Sequence, residues 1–268
     1  MSFATLLRGG AAALVLTAVA ACATSPLGRR QLMLISADQL DQMGVQAFEQ
    51  MKSEGKVSRD SRANAYVTCV ANAITAAISE QYGGGQPWEV QVFDDDTANA
   101  FALPGRKIGV HTGLLSVAEN EDQLATVIGH EVAHVLANHS GERVSSQMAA
   151  QGVAAVAGAV ADASNPLHGV ALGALGLGTN LGVMKYSRDH ESEADIYGLD
   201  LMARAGFDPR QSVPLWENMA AAGGERPPEF LSTHPSPETR IRDLQRRIQS
   251  HSLAIAQQTW AAGRRPDC

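Results

Sequence analysis

Asn120-Glu121-Asp122-Gln123, followed seven residues later by His130-Glu131-Val132-Ala133-His134, is the stretch that decides the fold. The asparagine is a favoured N-cap residue, the acids after it suit the positive end of a helix dipole, and the glutamine stands at the capping-box position. The stretch therefore predicts a helix that runs to about Asn138. Four residues make about 1.1 turns, so both histidines project from one face and can reach one ion. The glutamate lies about 100° around the helix, near enough to hold a metal-bound water.

A catalytic zinc ion takes three protein ligands and leaves a fourth position open, so a third ligand must lie elsewhere in the chain. The segment from Ser187 to Asp195 is also predicted to be helical, and Glu191 and Asp195 share one of its faces. One of these two acids can bind the metal while the other reaches the second nitrogen of a ligand histidine. The spacing does not decide between them, and it points Glu193 elsewhere. A solvated acidic helix start is the alternative for this segment.

Apolar residues at helical spacing predict helices over most of the rest of the chain. These helices cover residues 36–51, 58–78, 188–205 and 209–222, two closely packed halves of 148–184, and a last helix from Ser236. Three short β segments, 88–93, 100–103 and 107–111, are separated by turn residues and predict a small meander. The predicted class is α+β, mainly helical, with one small sheet.

Length and charge narrow the function. The chain has 268 residues, 45% of them hydrophobic, which fits one globular domain or two small ones. Lysine and arginine total 21 against 28 acids, a formal net charge of -7. Nucleic acid is therefore not an expected partner, because nucleic-acid binding generally needs a broad positive field.

The N-terminus predicts export. Residues 1–21 combine Arg8 with an apolar run too short for a confident membrane span, and the run leads into Val19-Ala20-Ala21-Cys22. That order resembles a bacterial lipobox, which implies cleavage before Cys22 and lipidation of that cysteine. An ordinary cleaved signal and a short anchor are the alternatives. Residues 22–35 are then a linker, and residues 36–268 form a single domain. The residue after Cys22 is Ala23 and not aspartate, which by the usual bacterial sorting pattern implies the periplasmic face of the outer membrane.

The two remaining cysteines are Cys69 and Cys268. An oxidising periplasm could join them, but two unrelated thiols explain the sequence equally well.

Four segments together resemble a known family. They are His130-Glu131-x-x-His134, Ser187-Arg188-x-x-Glu191-x-x-Ala194-Asp195, Asn99-Ala100-Phe101-Ala102-Leu103-Pro104-Gly105 and Thr233-His234-Pro235. The chain resembles, from about Leu40 to Arg247, the zinc metallopeptidases that include the CAAX prenyl proteases, HtpX, BepA and LoiP. It has neither the transmembrane helices of the prenyl proteases nor the helical repeats of BepA, and so looks most like the LoiP-type lipoproteins.

This resemblance implies a zincin-like (gluzincin) domain with one Zn²⁺ per chain. Glu191 would be the third metal ligand, Glu131 the catalytic acid and base, and Asp195 the partner of a ligand histidine. For His234 it suggests two roles: stabilising the oxyanion, or occupying the open zinc position in the resting enzyme. A structural or solvated histidine is the alternative.

The expected function is a zinc endopeptidase that hydrolyses misfolded or misassembled cell-envelope proteins, using a zinc-bound water activated by Glu131. An extended substrate would add to the strand segment Asn99, Ala100, Phe101, Ala102 and Leu103. An ordinary structural hairpin is the alternative there. The second function hypothesis is a non-catalytic lipoprotein that contains zinc and binds partners in outer-membrane assembly.

Overall fold

The computed structural model describes residues 22–157, 187–222, 229–234 and 239–268. Several predictions fall outside these ranges: the export signal over 1–21, the break between the two halves of 148–184, the loop that the pair Pro227-Pro228 predicts and the helix start at Ser236. Within the described ranges, no helix has both the length and the apolar character needed to cross a membrane.

Helices dominate the described chain. They are α1 (Ala37–Glu54), α2 (Ser61–Ala76), α3 (Glu121–Leu136), α4 (His139–Ala157), α5 (Arg188–Ala205), α6 (Ser212–Ala222), α7 (Glu229–Thr233), α8 (Arg240–Arg247) and α9 (Leu253–Ala261), the last two joined by a π turn (Ile248–Ser252). The mainly helical α+β class is confirmed.

A second sheet appears where the sequence predicted a linker. Strands β1 (Cys22–Thr24) and β2 (Arg30–Leu32) pair antiparallel within residues 22–35. The sequence did not predict this sheet, because each strand has only three residues. The segments on either side of the turn are also too short to show alternating apolar residues.

The larger sheet contains β3 (Glu89–Phe93), β4 (Ala100–Leu103) and β5 (Lys107–His111) in the order β3-β5-β4. Strands β4 and β5 form the expected hairpin, but β3 pairs with β5 in parallel, so the predicted meander is wrong. The central place goes to β5, whose Ile108 and Val110 are fully buried. Turn spacing could not reveal this order, because β4 lies between β3 and β5 in the sequence.

Helix α3 runs through the middle of the molecule and is buried at every residue from Asp122 to His134. It crosses α5 at a pair of glycines. A Cβ atom built on Gly198 would lie 2.8 Å from the carbonyl carbon of Gly129, closer than real Cβ atoms come. The glycines therefore allow the backbones of these two helices to meet, and this contact brings the two halves of the predicted metal site together.

A disulfide joins Cys69 on α2 to the terminal Cys268, with an S–S distance of 2.11 Å. The backbone N–H of Cys268 also donates to Glu121 Oε2 at 2.8 Å. The C-terminus is thereby held against the start of α3.

Candidate metal centre

Helix α3 presents His130 and His134 from one face, as the four-residue spacing predicts. Its N-terminus is fixed by Asn120, whose side chain accepts a hydrogen bond from the backbone N–H of Gln123 at 3.0 Å. Both imidazoles are almost fully buried, and their Nε2 atoms are 3.0 Å apart. Two ring nitrogens this close need a proton or a cation between them, because their lone pairs otherwise repel.

Helix α5 brings Glu191 to the same point. Its Oε2 lies 3.3 Å from His130 Nε2, and its Oε1 lies 3.5 Å from His134 Nε2. The N-cap is Ser187, which accepts from the backbone N–H of His190 at 3.2 Å. Although burial opposes it, the neighbouring His234 and His130 lower the pKa of Glu191, so this carboxylate is ionised.

Asp195 lies one turn further along α5 and contacts the far side of the first histidine. Its Oδ1 is 3.0 Å from His130 Nδ1. A carboxylate beside Nδ1 favours the tautomer with its proton on Nδ1 and its lone pair on Nε2, which is the form that binds metals. The structure therefore brings Glu191 to the nitrogen cluster and Asp195 to the far side of the His130 ring.

Arg240 on α8 was not predicted from the sequence. Its Nε donates to Asp195 Oδ2 at 2.7 Å, and its Nη2 donates to Glu191 Oε2 at 2.9 Å. The guanidinium also lies over the ring of Trp216, 4.1 Å from the centroid. A usable signal existed, since Arg240 stands four residues before the buried Leu244 and so shares its inward face.

His234 directly follows the short helix α7. Its Nδ1 is 3.1 Å from Glu191 Oε1 and 3.4 Å from His130 Nε2, and its ring stacks on Phe230 with centroids 4.4 Å apart. One donor atom from each of four residues, His130, His134, Glu191 and His234, lies within 4.8 Å of the others. His234 is therefore placed as a fourth donor.

This donor set fits a zinc ion. Imidazole nitrogen and carboxylate oxygen are both zinc ligands, and three such groups from two helices form the usual catalytic set. Burial, together with the neighbouring His130 and His234, lowers the pKa of His134 well below its ordinary value. His134 is thus neutral, as a metal ligand must be.

Glu131 stands between this cluster and the mixed sheet. Its Oε2 accepts a hydrogen bond from the backbone N–H of Ala102 at 3.3 Å, and its Oε1 lies 3.6 Å from His234 Nε2. Burial is the main cause of a raised pKa at this carboxyl. A buried carboxyl with a raised pKa is suited to accept and release a proton.

The predicted substrate strand lies beside that glutamate. Ala100, Phe101, Ala102 and Leu103 form β4, with Asn99 just before it, and among the described strands β4 pairs only with β5. The N–H of Ala102 points from the open edge toward Glu131. Phe101 packs with Phe48 and Phe93 and so belongs to the core under the strand.

A second group of residues missed by the sequence reasoning supports His134 from behind. His139 Nδ1 lies 2.8 Å from His134 Nδ1, and His139 Nε2 lies 3.1 Å from Glu193 Oε2. Glu193 was predicted to point away from the site. It does not reach the ligand cluster, but it is buried and is connected to that cluster through His139.

A buried HExxH helix whose histidines meet a glutamate from a second helix defines the gluzincin class of metallopeptidase domain. Residues 61–248 match peptidase family M48, and the chain belongs to this family. It is 35% identical over 220 residues to the mitochondrial metalloendopeptidase OMA1 of Schizosaccharomyces pombe, covering 81% of this chain and 63% of that protein. It is 29% identical over 230 residues to the beta-barrel assembly-enhancing protease of Escherichia coli, covering 83% of this chain and 46% of that protein. The chain thus spans about half to two thirds of the length of these relatives.

Proposed function

We propose that the protein is a zinc-dependent endopeptidase acting on misfolded or misassembled cell-envelope proteins. The observation that carries the proposal is the position of Glu131. Its carboxylate touches the open edge of β4 through Ala102 on one side and faces the metal-ligand cluster on the other. A purely structural metal site has no use for a buried carboxyl in that place.

When bound, zinc supplies a water of lowered pKa and polarises the substrate carbonyl. His130, His134 and Glu191 would hold it. Glu131 then takes a proton at its carboxylate during attack and returns it to the leaving amine. The N–H of Ala102 orients that carboxylate, so the base and the edge strand share one fixed geometry.

The open edge of β4 suits an extended, unfolded peptide. A substrate that adds as a further strand is held mostly by backbone hydrogen bonds, which depend little on sequence. A protein-quality-control role follows from such a preference for unfolded chains. The name of the E. coli relative, a beta-barrel assembly-enhancing protease, supports a role for this protein in β-barrel assembly, with proteins of that assembly as partners.

The position of His234 supports a closed resting state. Its Nδ1 reaches the same point as the three expected ligands, so it can fill the fourth metal position until substrate displaces it. The same observation favours the second candidate, a non-catalytic lipoprotein, because structural zinc sites close all four positions with protein ligands. Hydrolysis by the purified protein separates the two.

The test is digestion of an unfolded casein-type substrate by the purified mature protein, by its Glu131→Gln variant and by a chelated sample. The variant should keep one zinc per chain and its fold while losing hydrolysis, because an amide cannot accept the proton. Equal turnover in the variant would exclude this mechanism. A zinc-loaded parent with no hydrolysis would favour the binding protein.

We also propose attachment to the periplasmic face of the outer membrane through a lipidated Cys22. Cys22→Ser should leave the catalytic domain soluble and active while abolishing membrane fractionation of the mature-size product. A soluble variant supports the lipid anchor. A variant still firmly in the membrane would assign the attachment to the apolar segment from Met148 to Met184.

A further inference from the structure

The two ligand histidines of α3 are supported differently. His130 meets a carboxylate directly, since its Nδ1 lies 3.0 Å from Asp195. His134 instead meets another imidazole, His139, at 2.8 Å between the two Nδ1 atoms. His139 begins α4 and is fully buried, and its other nitrogen faces Glu193. The carboxylate support of His134 is thus one residue further away.

The residues His134, His139 and Glu193 form a series of hydrogen bonds, and the carboxylate of Glu193 decides which atom donates at each step. The Glu193 carboxylate can only accept, so His139 donates to it from Nε2. A neutral His139 then has its lone pair on Nδ1 and must accept from His134 Nδ1. His134 is left with its lone pair on Nε2, the atom that faces His130 and Glu191.

Strands β1 and β2 and the turn between them, here called the N-terminal hairpin, contact the last residue of this hydrogen-bond series, Glu193. The hydroxyl of Ser25 and the Nε of Arg29, the latter at 2.9 Å, donate to the two oxygens of Glu193. The two terminal nitrogens of Arg29 also donate hydrogen bonds to the carboxylate of Glu142, at 2.8 and 2.6 Å. These contacts connect the segment directly after Cys22 with α4 and α5.

A second imidazole, that of His190, packs against His139. His190 lies 3.1 Å from Glu142 Oε2 through its Nε2, and its ring stacks on His139 with centroids 4.4 Å apart. The ring plane of His139 is therefore fixed from one face by stacking and at both nitrogens by hydrogen bonds.

We infer that Ser25 and Arg29 of the N-terminal hairpin act through Glu193 and His139 as positioning residues that fix His134 as an Nε2 metal ligand. The inference rests on the proposed zinc site but not on catalysis. The hairpin, which follows the proposed lipid anchor, is on this view part of the metal centre. Loosening it weakens metal binding without removing a ligand.

The experiment is a zinc titration of the mature protein against a competing chelator. Glu193→Ala should weaken zinc binding about 10- to 100-fold, the usual effect of removing a partner of a ligand histidine. Arg29→Ala should weaken it in the same direction but less, since Ser25 still holds Glu193. Glu191→Ala, which removes a ligand, sets the upper limit of the loss.

Matched controls come from exposed neighbours. Arg30→Ala changes the adjacent arginine of the same hairpin, and Asp189→Ala removes an exposed acid from the same helix as Glu193. Both should bind zinc as the parent does. Glu193→Gln should recover most of the affinity, because its amide oxygen still accepts from His139.

A spectroscopic readout separates positioning from simple destabilisation. In zinc-loaded protein with ¹⁵N-labelled histidine, His134 should show a protonated Nδ1 that exchanges slowly with water. In Glu193→Ala that proton should exchange faster, and in Glu193→Gln it should again be slow.

Parental zinc affinity in both Glu193→Ala and Arg29→Ala would overturn the inference, whether or not the parent hydrolyses protein. So would a His134 ring protonated at Nε2. A Glu193→Ala protein too unstable to purify leaves Arg29→Ala and Glu193→Gln to decide by the same titration. Weakened binding in a parent that never hydrolyses substrate would support the inference while rejecting the proposed peptidase.

Discussion

Arg240 determines how two acids can lie side by side in the interior. Glu191 and Asp195 both face His130, and one guanidinium bonds to both of them while resting on Trp216. Without this positive charge the two buried carboxylates would repel each other. Arg240 thus lets one acid reach the donor cluster while the other lies beside His130 Nδ1.

His234 gives the sharpest prediction at the level of one side chain. Because its Nδ1 lies among the metal-binding atoms, His234→Ala should raise the initial rate on an unfolded substrate by reopening the fourth position. The rate on casein-type substrate measures this, and His251→Ala, which changes a half-exposed histidine of the π turn, is the control.

The competing role of His234 predicts the reverse. If the side chain stabilises the oxyanion, the same substitution should lower the rate about 10²- to 10³-fold. A rate equal to that of the parent would reject both roles and leave a structural histidine packed on Phe230.

Among the elements, the crossing of α3 and α5 sets the size of the metal centre. A methyl group on Gly198 would meet Gly129 and the backbone nitrogen of His130 at 2.8 Å, so the two helices must separate. Gly198→Ala should therefore destabilise the fold by about 1–3 kcal/mol and weaken zinc binding by moving Glu191 away from His130. Urea unfolding and chelator competition measure the two effects.

Gly141 on α4 supplies the control. An added Cβ there meets the flexible end of Met33 at 2.6 Å, and alanine is the better helix former. Gly141→Ala should thus bind zinc as the parent does. A Gly198→Ala protein with parental stability and affinity would contradict the close-packing argument.

Local signals were enough to predict the elements that carry the ligands. Ser187 and Gly206 bound α5 as a cap and a left-handed stop, and the predicted range 188–205 matches the helix. The strand order could not be predicted from local signals, because β3 pairs with β5 although β4 lies between them in the sequence. The Glu193–His139 connection was also hidden, since it joins residues 54 positions apart through a buried ring.

For the whole molecule, the Cys69–Cys268 bond closes a very long loop, with a sequence separation of 199. Long loops lose the most unfolded-state entropy on cross-linking, so Cys268→Ser should lower the free energy of unfolding by about 2–5 kcal/mol. Urea unfolding of oxidised parent and variant measures the difference.

Reduction provides the internal check. Under a reducing agent the parent and Cys268→Ser should unfold at nearly the same urea concentration, and Cys69→Ser should behave like Cys268→Ser. An oxidised parent no more stable than the variants would show that the bond does not stabilise the fold. The sequence offered the two cysteines but could not show that they meet, because their approach depends on where the C-terminus lies against α2.

The buried acids around Arg240 also have a consequence for how folding depends on the metal. Glu191 and Asp195 are both buried, and one guanidinium faces their two carboxylates. A charge that is buried without a counter-charge costs several kcal/mol. A cation held beside Glu191 would therefore also offset negative charge in the interior, and removing it with a chelator should lower the free energy of unfolding.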